Sequence, residues 1–146
     1  MLPKAEKMLD IFEKRLTNIL SITGPIFSFE SAHIGHCVRV SDGFRFFNWE
    51  KNVYGDPSYS LAVFLASVIE YPNFTDMKEQ MIHAYVEEKT IPELRELVDQ
   101  RLAEREVSNL IWSLWAHVKS NEAGIGMNIM NPTERFTRVA ELLKEY

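Results

Sequence analysis

The chain has 146 residues, 46% hydrophobic and 25% charged, a composition that fits one soluble domain spanning residues 1–146. Its net charge of −5 at pH 7 gives no electrostatic reason to expect nucleic acid or an anionic membrane as a partner. No apolar run approaches the ~20 residues of a membrane span, and the amphipathic N-terminus MLPKAEKMLDIFEK is unlike a signal peptide, so a cytoplasmic location is expected.

From Lys4 to about Leu20, the residues Ala5, Met8, Leu9, Phe12, Leu16, Ile19 and Leu20 recur at helical spacing, an apolar stripe best read as core packing. Gly24-Pro25 stops this helix, and Ile26, Phe27 and Phe29 read as a short strand. Cys37–Val40 and Phe44–Phe47 predict a hairpin around Asp42-Gly43, with Cys37 as a buried, unpaired thiol. The aromatic strand ends at Asn48-Trp49-Glu50. A loop through Gly55 leads to a helix with Asp56 as N-cap and Pro57 at its first position.

Helical patterning then continues almost to the C-terminus. Leu61, Ala62, Phe64, Leu65, Val68 and Ile69 mark a buried helix that ends at Tyr71-Pro72. Asn73 or Thr75 caps the next, with Met77, Met81, Ile82, Tyr85 and Val86 facing inward. Thr90 and Glu93 have the spacing of a capping box for a helix through Leu94, Leu97, Val98 and Leu102, and the charged run Glu93–Glu106 reads as a solvated face. Val107 to about Lys119 continues or restarts that helix. A loop over Asn121–Met130 leads to a last helix opened by Asn131-Pro132 and carrying Phe136, Val139, Leu142 and Leu143.

Asn48-Trp49-Glu50 followed by Gly55-Asp56-Pro57-Ser58-Tyr59-Ser60-Leu61-Ala62 resembles the metal-binding segment of the aminoglycoside phosphotransferase and choline kinase family, where I-D-W-E precedes G-D-P-x-Y-D-L-A. The resemblance places a catalytic loop of the form H-G-D-x-H-P-x-N upstream. At that spacing Phe29-Glu30-Ser31-Ala32-His33-Ile34-Gly35-His36 matches only at His33 and Gly35. Ser31 stands where the family has its catalytic Asp, His36 where it has a metal-binding Asn, and Asn48 where it has a second metal-binding Asp. Ser31 cannot act as a carboxylate base, Asn48 brings no negative charge, and imidazole is a poor Mg²⁺ ligand. The resemblance therefore implies a retained scaffold without an intact catalytic residue.

Trp112 and Trp115 lie three apart, on one helix face. The simpler reading is two core tryptophans. The resemblance implies instead a pair that, with Tyr59 and with Glu50 as countercharge, encloses a quaternary ammonium such as choline. His33 and His36 admit a transition-metal site near Glu50, but a hydrogen-bonding role for His33 and a replaced ligand at His36 is the simpler account, and no metal site is expected. His83 and His117 have no partner in sequence and read as structural or surface residues.

The expected fold is mainly α with a small β hairpin (α+β), similar to the helical C-terminal lobe of these phosphotransferases, their N-terminal β lobe absent. No Gly-rich phosphate loop and no strand lysine precede the degenerate motif, so ATP and Mg²⁺ are not expected to bind this chain alone. The expected role is a non-catalytic, pseudokinase-type binding or scaffolding module. Self-association or a protein partner would cover the face of the missing lobe. Two alternatives stand beside it. One is an ATP- and Mg²⁺-dependent phosphotransferase fragment that takes its nucleotide lobe from elsewhere, and the other is a sensor of small cationic ligands.

Overall fold

The computed structural model describes residues 2–29, 32–48, 52–123 and 132–145. These are mainly helical. The order is α1 (Leu2–Thr23), β1 (Ile26–Phe29), β2 (Cys37–Val40), β3 (Gly43–Phe46), β4 (Asn52–Gly55), α2 (Tyr59–Ser67), α3 (Phe74–Lys89), α4 (Leu94–Ala123) and α5 (Pro132–Leu142), with short 3-10 turns at Ile34–His36 and Leu143–Glu145. The expectation of a mainly α fold with a small β component holds. None of the described helices is long and apolar enough to cross a membrane.

The backbone forms two compact units, one of Ile11–Leu102 and one of Met1–Asp10 with Ala103–Tyr146. In the first, Leu61, Leu65, Ile82, Val98 and Leu102 form one buried cluster, and Phe12, Ile19, Leu94 and Leu97 another. Each fully buried aliphatic side chain of this kind contributes roughly 1.5–3 kcal/mol. In the second unit Met8, Ala103, Leu110, Val139 and Leu143 pack together. There Lys4 Nζ donates to the carbonyls of Leu143 (3.1 Å) and Lys144 (3.3 Å), neutralising the carbonyl-rich end that follows α5.

α1 outruns its apolar stripe by a turn and stops at Gly24. That residue takes the left-handed conformation (φ +66°) while its N–H donates to Leu20 O at 2.9 Å. The predicted hairpin forms with Val40 opposite Gly43 and Ser41-Asp42 as the turn. Neither Ser41 nor Asp42 has a positive φ; Gly43, the first residue of β3, carries it (φ +137°), one position past the expected Asp42-Gly43 turn's start. Cys37 opens β2 half-buried rather than buried.

Four expectations need correction. The stretch before Asp56 is a strand, β4, paired antiparallel with β1 with Phe27 opposite Tyr54. Its β-favouring Val53-Tyr54 is too short to stand out without the partner strand. Thr90 does not open a capping box. It is the left-handed C-cap of α3 (φ 57°), and its N–H closes onto Val86 O at 2.8 Å. α4 is one uninterrupted 30-residue helix, so Val107 continues it, and it runs on through Asn121–Ala123, where a loop was expected, the rest of that loop lying outside the described residues. The run Glu93–Glu106 is not wholly solvated, because Gln100 and Glu106 are buried and Arg101 nearly so. Arg101 and Glu106 are held by partners far away in sequence, which a charge pattern along one helix cannot reveal.

Candidate functional site

The junction around Asp56 is bonded to several elements of its unit. Asp56 Oδ1 accepts from the Ser58 N–H (2.8 Å) and the Ser58 hydroxyl (2.5 Å). Its Oδ2 accepts from Arg101 Nε at 2.6 Å, and the Arg101 and Asp56 side chains are only 15% and 9% exposed. The guanidinium also lies 4.2 Å from the Phe12 ring centroid and 5.5 Å from that of Tyr59. Ser28 Oγ donates to the Asp56 carbonyl at 2.6 Å, and the Tyr85 hydroxyl donates to the Pro57 carbonyl. Burial, then the nearby Asp56 charge, push the Tyr85 phenol above its ordinary range. Asp56 thus caps the turn into α2 from one position before that turn, while Ser58 holds the formal N-cap place with no side-chain cap bond.

Serines tie β1 and the following turn to α2. Ser60 Oγ accepts from the Phe29 N–H at 2.7 Å, and Ser67 Oγ accepts from the Ile34 N–H at 2.9 Å. Phe29, Phe46 and Phe64 stack edge to face in sequence, each pair of centroids 6.0 Å apart.

The hairpin brings its two ends together as its register demands. His36 precedes β2 and Asn48 follows β3. The Phe47 N–H donates to His36 O at 3.0 Å, and Asn48 Nδ2 lies 3.2 Å from His36 Nε2. Asn48 takes a left-handed backbone (φ 66°), a conformation asparagine tolerates better than most residues. His33 caps the 3-10 turn, its Nδ1 accepting from the Gly35 N–H at 2.9 Å. Partial burial and then the neighbouring His36, 6.0 Å away ring to ring, lower its pKa. A neutral ring accepting at Nδ1 carries its proton on Nε2, the wrong tautomer for donating that nitrogen to a metal. This geometry agrees with the hydrogen-bonding account of His33. Among the described residues no group of three or more His, Cys, Asp or Glu is arranged around a metal position.

Of the residues singled out from sequence, His36 and Asn48 meet. Tyr59 lies in the same unit, with the Arg101 guanidinium over its ring. Trp112 and Trp115 belong to the other unit, on one face of α4, and are 55% and 59% exposed. They are therefore not core residues. The interior positions of that half-helix are Leu110, Ser113 and Ala116. Ser31 and Glu50 lie outside the described residues.

Sequence reasoning missed Arg101, Ser28, Ser60, Ser67 and Tyr85. Arg101 is 45 positions from Asp56 and sits in a charge-rich run that gives it no mark. It missed Glu106 as well. This fully buried carboxylate accepts from Asn109 Nδ2 (3.0 Å) and pairs with Arg135 (3.4 Å) and Arg138 (3.5 Å) of α5.

No protein-family model, curated protein or solved structure matches the chain.

Proposed function

We propose that this chain is a non-catalytic, phosphotransferase-like binding or scaffolding module of the cytoplasm. The observation that carries the reading is the state of Asp56. The carboxylate kept in the Gly55-Asp56-Pro57 segment is committed to Arg101 and Ser58, so it holds the junction together. At the neighbouring positions, Asn48 and His36 are bonded to each other. An amide, an imidazole and an ion-paired carboxylate do not fit Mg²⁺, which favours carboxylate and water oxygens, and the charge of a nucleotide triphosphate would go unmatched.

A thermal-shift series with ATP–Mg²⁺, ATP–Mn²⁺ and choline, each tested separately, checks this. A ligand that binds only the folded state raises the midpoint by mass action. The expected result is no shift with any of them. A shift with nucleotide and metal would overturn the non-catalytic reading in favour of a phosphotransferase fragment. A shift with choline alone would turn the module into a cation sensor.

A further inference from the structure

α4 changes character along its length. Up to Glu106 it alternates buried apolar positions with charged ones. Between Glu106 and Lys119 no Asp, Glu, Lys or Arg occurs. Within that interval Leu110, Ser113 and Ala116 face the interior of their unit. The opposite side carries Ile111, Trp112, Leu114, Trp115 and Val118, each between 47% and 64% exposed. A helix apolar on both sides belongs inside a structure, yet one side of this one faces water.

We infer that this face is the contact between two copies of the chain, an inference that rests on the scaffolding role and names its partner. Three observations favour a second copy. The first is spacing: 111, 114, 115 and 118 follow the three-and-four step of a helix–helix seam. The second is symmetry. With two α4 helices antiparallel about a two-fold axis between Leu114 and Trp115, Ile111 meets Val118 and Leu114 meets Trp115, so one apolar patch complements itself, as an isologous interface requires. The third is size. The five residues leave on the order of 600 Å² in water, at the upper end of the largest patch of an ordinary monomer, and its full burial in two copies amounts to ~1,200 Å², the lower bound for a stable specific interface. Across the seam no like charges oppose one another.

The test is sedimentation velocity of the whole chain from micromolar to near-millimolar concentration, for the wild type and for Trp115→Glu. The wild type should double its mass with concentration, and Trp115→Glu, at an exposed position, should remain a monomer with unchanged circular dichroism. A wild type that stays monomeric throughout overturns the inference, and so does a Trp115→Glu chain that still dimerises. Cysteine pairs test the register independently of folding. In a Cys37→Ser background, an equal mixture of Ile111→Cys and Val118→Cys chains should cross-link on mild oxidation. Ile111→Cys alone should not, because its two copies lie two turns, about 10 Å, apart along the seam. Cross-linking of Ile111→Cys alone, or none in the mixture, overturns the antiparallel pairing. Catalytic failure of the scaffold reading shows separately, as ATP-dependent phosphoryl transfer by the same sample.

Discussion

Arg101 and Asp56 form a nearly buried ion pair whose members have further partners: Ser58 on the carboxylate, and the Phe12 and Tyr59 rings against the guanidinium. Removing one member leaves a charge with no counterpart in a site that excludes water, so Arg101→Ala should cost about 3 kcal/mol or more in urea unfolding. A loss under about 1 kcal/mol would show that the pair does not hold the junction. Glu106 sets the same problem in the other unit, and Glu106→Ala should be comparably damaging, whereas replacing an exposed carboxylate such as Glu87 should not. His33 adds a dependence on pH. Its folded-state pKa is lowered by burial and by His36, so its contribution is present above the ordinary imidazole value and is lost as the pH falls through the folded one. Protonation also removes the Nδ1 lone pair that accepts from the Gly35 N–H. Stability should therefore drop as the pH falls below about 6.5, and His33→Asn, which can cap without titrating, should flatten that part of the profile. Equal slopes for the two proteins would assign the acid sensitivity elsewhere.

At the scale of elements, short-range signals were legible and long-range ones were not. The stripe of α1, the hairpin turn (expected at Asp42-Gly43, formed by Ser41-Asp42) and Pro132 at the start of α5 are local signals, whereas the Asn131 cap lies outside the described residues, and the hairpin alone was enough to bring His36 beside Asn48. β4 gains its identity only from β1, and Thr90 looks like a helix start until the left-handed end of α3 is seen. Periodicity put Trp112 and Trp115 on one face but could not say whether anything covers it. Thr90 offers a direct check on the corrected C-cap. A β-branched residue in the left-handed region carries a penalty that glycine avoids, so Thr90→Gly should stabilise the chain by roughly 0.5–1 kcal/mol in thermal or urea unfolding. Destabilisation would mean that the residue does not hold that conformation.

At the scale of the whole molecule, the junction of β1, the hairpin and α2 is braced by groups that elsewhere could do chemistry. Ser28, Ser60 and Ser67 hold backbone groups, Asp56 holds Arg101, and Asn48 holds His36. In such a junction the polar side chains are committed to one another and to the backbone. The most direct measurement is ADP formation and thermal shift in one sample with ATP and Mg²⁺, across a panel of small hydroxylated and cationic acceptors. A scaffold built in this way should give no ADP above a heat-denatured control and no change in midpoint. Turnover accompanied by a rise in midpoint would contradict it, and would mean that Asn48 and His36 part to admit a metal.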